Sequence, residues 1–371
     1  MITDVRIYVI VGAFMITCIA LMVFNFVIIR RSQGRNEPSS RRVKKWRTLL
    51  HKHIVLNAGK ESDSISHEKY LLRKLPNTEN FVVYYLVLQE IQNEYPEEYK
   101  AYTEDKYVTF QKLSLKYAQK TGIARAFFAD FICNFPRIAG DTPEQLVNIL
   151  ITYIDDSSIH CRTNVLRALC SIGHVQGVIN TIQVINEKSL FMHNKLLTNE
   201  LLNFRGNRDE LAEHLWRECY QWNVDTNVSV VQYITAFSNA YVKSFMPTLQ
   251  DSSVNPEIRI AIIRYYARYR FDPARTVLIK FIDNPTDINL SIVSASALAL
   301  YPSQDTFATL RRSLSSANWH VRFNSASTLA RLGGKVYLAD ILSTETDRYA
   351  KDIVTYTLKQ LEEQEQKQEN N

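Results

Sequence analysis

Glycine and proline are scarce, at 10 each in 371 residues, so the chain has few of the breakers that punctuate strands and tight turns. Cysteine is sparse too. The five, Cys18, Cys133, Cys161, Cys170 and Cys219, are odd in number and irregular in spacing, which excludes a disulfide framework and agrees with a reducing compartment. Cys133, Cys161 and Cys170 sit among apolar neighbours at helical spacing and read as small buried hydrophobes. No phosphate-binding glycine loop is present, and the paired Gly333 and Gly334 follow a helical pattern and read as its stop. None of the eight histidines forms a metal-ligand pattern, and the solitary His67-Glu68 pair reads as an exposed polar turn. Neither a catalytic residue, a metal nor a cofactor is therefore expected.

What the chain does have begins with residues 7–29, an uncharged run of 23. As a helix it extends about 34 Å at ~1.5 Å per residue, enough to cross a hydrocarbon core of roughly 30 Å. After it come Arg30, Arg31, Arg35, Arg41, Arg42, Lys44, Lys45, Arg47 and Lys52 against a single acid, Glu37. That asymmetry predicts residues 1–6 outside and the long C-terminal part in the cytoplasm, on the inner membrane. A cleavable signal fits poorly, because Arg6 is balanced by Asp4 and the run ends in Phe24-Asn25-Phe26 rather than in small residues. A lipoprotein reading of Cys18 meets Thr17 where a smaller residue is expected, and the apolar run continues past it.

Net charge localises the partners. Residues 30–52 carry nine cations and one anion, or +8, so the rest of a chain totalling +6 sums to −2. The folded part is not basic overall, which argues against a nucleic-acid surface. The basic stretch, represented by Arg30, Arg31, Arg35, Arg41, Arg42, Lys44, Lys45 and Arg47, reads as a topology signal that also attracts anionic lipid headgroups. Within the segment 30–60, residues 41–56 are open to two readings, a basic amphipathic helix on the membrane (Val43, Trp46, Leu49, Leu50) or a plain linker.

From about residue 65 the apolar positions recur three and four apart in stretches of helix length. Residues 61–120 are helical but irregular. Over 121–360 a period appears: Ile159-His160-Cys161-Arg162 is echoed at Glu257-Ile258-Arg259, Asn289-Leu290-Ser291 and His320-Val321-Arg322. Fainter copies fall at residues 193–202 and 227–237, and shorter helices opened by Thr142-Pro143, Asp272-Pro273 and Pro302 lie between them. Two helices per period of about 30 to 37 residues are the mark of an α-solenoid. Residues 361–371 form a polar, acidic tail.

The stretch Trp319-His320-Val321-Arg322-Phe323-Asn324-Ser325-Ala326-Ser327-Thr328-Leu329-Ala330-Arg331-Leu332-Gly333 resembles the second helix of a HEAT repeat, with Ser291 and Ser229 replacing the Arg in two copies. The resemblance implies an all-α fold, a right-handed α-solenoid of HEAT-like helical hairpins preceded by one transmembrane helix. It specifies architecture, not activity. In HEAT proteins the second helices line the concave side. Aligning the copies then places Tyr266 and Ala267 inward, and Arg259, Tyr265, Arg268, Arg322 and Arg331 on a partner-binding strip, against the simpler reading of a solvated face. Arg162, Arg259 and Arg322 read either as an anion ladder or as residues bonding a carbonyl or acid in an adjoining turn. The implied function is a non-enzymatic, membrane-anchored scaffold for a membrane-associated protein, with no nucleic acid or small-molecule substrate. Similar bacterial proteins accompany membrane glycosyltransferases of polysaccharide export, which suggests such a partner. The alternatives are a HEAT-like enzyme acting on nucleic acid or protein side chains, and a mechanical spacer.

Overall fold

Short polar side chains and prolines set the helix starts. Asn77, Ser158, Asn207, Asn223, Asn255, Asp287, Ser303 and Asn318 each accept a hydrogen bond from a backbone N–H two or three residues on. Pro96, Pro256 and Pro273 occupy first-turn positions, where a missing N–H costs nothing. The computed structural model describes residues 40–56, 61–134, 144–155, 158–285 and 287–369, together with 14, 15, 17, 21 and 22. Among the described residues there are nineteen α-helices and no strand. The apolar run 7–29 lies outside them except for those five positions, which are helical. The linker 30–39, with Arg30, Arg31 and Arg35, also lies outside. No helix among the described residues is long and apolar enough to cross a membrane.

The chain divides into two compact units, residues 1–149 and 150–371. In the first, α1 (Ser40–His51) continues into a π-helical turn (Lys52–Leu56), followed by α2 (Glu61–Lys74), α3 (Thr78–Glu94), α4 (Pro96–Asp105), α5 (Tyr107–Ala118) and α6 (Gly122–Cys133). Its core is aromatic. Phe81 of α3 has the rings of Tyr117, Phe127, Phe128 and Phe131 within 4.9–5.7 Å, in edge-on, stacked and tilted pairs. Such pairs add roughly 0.5–1.5 kcal/mol each beyond area burial.

Residues 40–56 form the helix that one reading anticipated, but its apolar side does not face a bilayer. Trp46, Leu50 and Ile54 are buried, with Trp46 edge-on to Tyr70 at 5.8 Å and to Tyr84 at 5.4 Å. The aromatic surface of α2 and α3 covers the side that, in that reading, a membrane would cover.

A second departure concerns His67. It lies inside α2 rather than in a polar turn and is 3% exposed. Its ring stacks on His53 at 3.9 Å, and Nε2 is 2.9 Å from the Tyr102 hydroxyl, which in turn is 3.4 Å from that of Tyr84. Burial, then the neighbouring His53 and Lys106, hold His67 down to about 3. Glu68, on the more open side, accepts an ion pair from Lys112 at 2.8 Å.

From residue 144 the chain alternates two kinds of helix. The first of each pair are α7 (Glu144–Ile151), α9 (Val175–Glu187), α11 (Arg208–Glu218), α13 (Phe245–Gln250), α15 (Asp272–Asp283) and α17 (Gln304–Ser313). The second are α8 (Ile159–Ile172), α10 (Asn194–Leu202), α12 (Val224–Phe237), α14 (Pro256–Tyr266), α16 (Ile288–Ala297) and α18 (Trp319–Thr344). From α8 onward each second helix packs on the next, and α11, α13, α15 and α17 pack on the second helices that follow them. The second helices begin 30 to 35 residues apart. Gly334 breaks α18 with φ 71° and ψ −174°, so residues 335–344 start a further pair completed by α19 (Arg348–Glu369).

Two glycines let successive pairs approach. Gly173 ends α8 at φ 77°, and a Cβ there would lie 2.8 Å from the Gly206 nitrogen. The contact is sealed by Arg205 N–H donating to the Cys170 carbonyl at 2.9 Å. Gly206→Ala is expected to destabilise the chain by about 1–3 kcal/mol through overpacking against the Gly173 carbonyl and the Phe204 ring, measured by urea unfolding.

The same assay tests His67. Its folded-state value lies below the unfolded one, so below pH 6.5 the unfolded chain takes up a proton that the folded chain refuses. Stability should fall by up to about 1.4 kcal/mol per pH unit as pH drops from about 6.5 towards 3. His67→Phe should flatten that slope.

Candidate functional site

The repeated arginine position is structural in all three copies. Arg162 Nη2 donates to the Phe191 carbonyl at 2.9 Å, and Arg259 Nε to the Leu249 carbonyl at 3.1 Å, while the Arg259 guanidinium lies 5.0 Å from the Phe281 ring centre. Arg322 Nη1 donates to the carbonyls of Ser316 at 2.7 Å and Ala317 at 3.1 Å. Arg162 and Arg259 are buried. Where serine replaces arginine the task is unchanged. Ser291 Oγ donates to the Phe281 carbonyl at 2.6 Å, and Ser229 Oγ to that of Asn194 at 3.0 Å. No anion ladder is formed by these residues.

The open-face placement of Tyr265 is corrected by the structure. The alignment pairs it with Thr328, and both are buried, because successive second helices touch along that line. Tyr265 is wholly enclosed: its ring is edge-on to Phe245 at 4.7 Å, and its hydroxyl accepts from the Tyr241 N–H at 3.1 Å. Burial, the main cause, pushes its hydroxyl up to about 12. Tyr266 is buried as expected and donates to the Val242 carbonyl at 2.6 Å. Ala267, read as inward, is exposed, because α14 ends at Tyr266 and the chain turns away. Arg268 and Arg331 are exposed, and the Arg268 guanidinium lies 5.5 Å from the Tyr269 ring centre.

Of the five strip residues, Arg322 joins an exposed aromatic group that the sequence reading missed. Trp319 and Phe323, one helical turn apart at the start of α18, stack at 5.0 Å with their planes 6° apart. Tyr356 of α19 meets both nearly edge-on, at 6.5 Å and 66° from Trp319 and at 6.2 Å and 60° from Phe323. The Arg322 guanidinium lies 5.1 Å over the Tyr349 ring. Trp319 is 45% exposed, Tyr356 45% and Tyr349 61%. The signal was available as Trp and Phe four apart and two tyrosines seven apart, each pair on one helical face. Exposed large aromatics beside a half-buried arginine are residue types that dominate protein interfaces.

The basic helix α1 splits its cations into two sets. Arg42 pairs with Glu79 at 2.6 Å and Arg47 with Glu94 at 3.0 Å, both on α3. Arg41, Lys44, Lys45 and Lys52 are exposed. Lys44, Arg47, Thr48, His51, Lys52 and Leu56 line an open groove of about 570 Å³. Among the described residues no group of three or more His, Cys, Asp or Glu side chains is placed to hold a metal ion.

Residues 276–359, from α15 into α19, match the family model described as HEAT repeats. That match and the all-helical pairing support a HEAT-repeat protein. No curated protein matches the chain.

If Tyr265 belongs to the core and Arg268 and Arg331 to the surface, the variants separate cleanly. Tyr265→Ala should cost about 3–5 kcal/mol, as for other buried aromatics. Arg268→Glu and Arg331→Glu should each stay within about 0.5 kcal/mol of the parent. Chemical denaturation of the three variants provides the comparison.

Proposed function

We propose that this chain is a non-enzymatic scaffold: a HEAT-repeat array that binds a partner protein, held at the cytoplasmic face of a membrane by residues 7–29. The observation that carries the binding half is the group of exposed Trp319, Tyr349 and Tyr356 around the partly buried Phe323 and Arg322. Interface energy concentrates in such side chains, and an array of stacked helix pairs offers them on a broad, stiff face. Arg268 and Arg331 are exposed elsewhere on the array and are candidates for polar contacts.

The anchoring half is supported by sequence. The uncharged run and the cations after it have the pattern of a single span with its C-terminal side in the cytoplasm. Phe14, Met15, Leu21 and Met22 are each more than half exposed, as lipid-facing side chains would be. The outward cations of α1 suit anionic headgroups, each contributing about 1 kcal/mol near such a surface. Tethering would raise the local concentration of the array around a membrane partner without new contacts. A membrane glycosyltransferase of polysaccharide export is the partner we favour, on the resemblance described above.

Crosslinked cells expressing the full chain, a version lacking residues 1–39, and a Trp319→Ala/Tyr356→Ala double variant provide the test. The full chain should fractionate with membranes and co-purify with one membrane protein. Loss of residues 1–39 should release it to the soluble fraction, and the double variant should keep its membrane location but lose the partner. Recovery of nucleic acid in place of protein, or of no partner, sinks the scaffold reading.

A further inference from the structure

If residues 7–29 span a membrane, as proposed above, the ten residues 30–39 reach at most about 36 Å, which keeps α1 within that distance of the headgroup layer. A free helix of this sequence would enter the interface with Trp46, Leu50 and Ile54. In this chain those side chains are already buried in the first unit. Only another side of α1 is open to a surface.

That side is cationic. At ~100° per residue, Arg41, Lys44, Lys45 and Lys52 fall within about 60° of Thr48, on the arc turned away from Trp46 and Leu50. All five are exposed. Residues 40–56 contain no acid. The acids that α3 brings to the helix are engaged: Glu79 by Arg42 at 2.6 Å and Glu94 by Arg47 at 3.0 Å, with Glu90 3.9 Å from Arg47. Six cations over residues 40–56 less these three acids leave +3. On the α2 side the ring against Trp46 is Tyr70, and the Arg73 guanidinium lies 5.8 Å from its centre. Glu97 and Glu98 of α4 follow Tyr95, whose ring meets His51 at 5.7 Å, and border the last turn of α1. The groove along Lys44, Arg47, Thr48, His51, Lys52 and Leu56 has no carboxylate among its described lining residues.

We propose that α1 docks on an anionic bilayer by its polar side, with Arg41, Lys44, Lys45 and Lys52 on phospholipid phosphates and the groove taking headgroups, while Trp46, Leu50 and Ile54 stay in the first unit. This reverses the ordinary interfacial helix, which meets the bilayer with its apolar face. The contact is electrostatic, leaves the first unit folded, and sets which side of that unit faces the membrane. A nucleic-acid strand is a poorer occupant, because its bases need exposed rings among the cations and the tryptophan of α1 is buried.

The test places the full chain in liposomes of phosphatidylcholine, alone or with a minority of phosphatidylglycerol, with the folded units outside. Acetylation of amines, read lysine by lysine by mass spectrometry, reports the docked face. Lys44, Lys45 and Lys52 should react about fivefold more slowly on the anionic liposomes than on the neutral ones, relative to the exposed Lys351 and Lys359 of α19. Molar salt should remove the difference. Lys44→Glu/Lys52→Glu, at exposed positions, should melt like the parent and lose the protection of Lys45.

Equal acetylation on the two lipids overturns the proposal. So does protection that appears on neutral liposomes or survives molar salt, since that is the behaviour of a helix inserted by its apolar side. Equal protection on neutral liposomes by added inorganic phosphate or an oligouridylate also overturns it, in favour of a soluble ligand. Extraction with alkaline carbonate reports the span separately. A chain that resists extraction with its α1 lysines unprotected keeps the span and loses the docking. A chain that is stripped by carbonate, yet was protected before it, keeps the docking and loses the span.

Discussion

Short helices leave carbonyls without partners, and stacking them buries those carbonyls. Each helix exposes up to four donors at its N-terminus and four acceptors at its C-terminus, and in the second unit the helices from α8 to α17 are only 6 to 14 residues long, so a large share of the backbone lies near an end. A buried acceptor left unmatched costs about 1–3 kcal/mol. The array meets this demand with side chains that cross between elements. Arg162, Arg259, Ser229 and Ser291 reach carbonyls in adjoining turns or helix ends. Tyr301 donates to the Tyr266 carbonyl at 2.9 Å while its hydroxyl accepts from the Phe271 N–H, and Thr328 donates to the Ala295 carbonyl at 2.9 Å. The repeat is therefore a repeat of hydrogen-bond obligations as much as of apolar spacing.

That view explains why arginine and serine alternate at one position. The obligation is a donor delivered to a carbonyl of an adjoining turn or helix, and the side chain need only match the gap. Where the carbonyl of α13 lies far enough away, the long arm of Arg259 spans it and rests on the Phe281 ring. Where α15 ends close to α16, the short Ser291 hydroxyl suffices. A charge at this position is incidental to the bond it makes, which is why the arginines do not add up to an anion site.

The architecture was legible because its cause is periodic. Apolar spacing, prolines at helix starts and the 30-residue recurrence all act locally and leave marks in the sequence. Gly334 was read correctly as a stop for the same reason, since its left-handed φ admits few other residues. The site was less legible. Which side of a second helix is covered depends on the neighbouring pair, and Tyr265 turned out to lie on the contact line between α12, α14 and α16. His67 was misjudged similarly: nothing local announces that α4 will bring the Tyr102 hydroxyl to its ring. The stacking of Trp319 on Phe323 is local to α18, but the approach of Tyr349 and Tyr356 requires α18 and α19 to be set side by side.

The basic helix shows how tertiary structure redirects a signal that composition states plainly. A helix of this sequence in isolation would place Trp46, Leu50 and Ile54 in an interface and its cations in the headgroups. In the folded chain those apolar residues are enclosed, and Arg42 and Arg47 are matched by Glu79 and Glu94. What remains outward is a rigid set, Arg41, Lys44, Lys45 and Lys52, on a helix fixed to the first unit. The helix is held to the first unit by its aromatic contacts and two arginine–carboxylate pairs. Exposed cations and attachment to the folded unit are thus divided between different sides of α1.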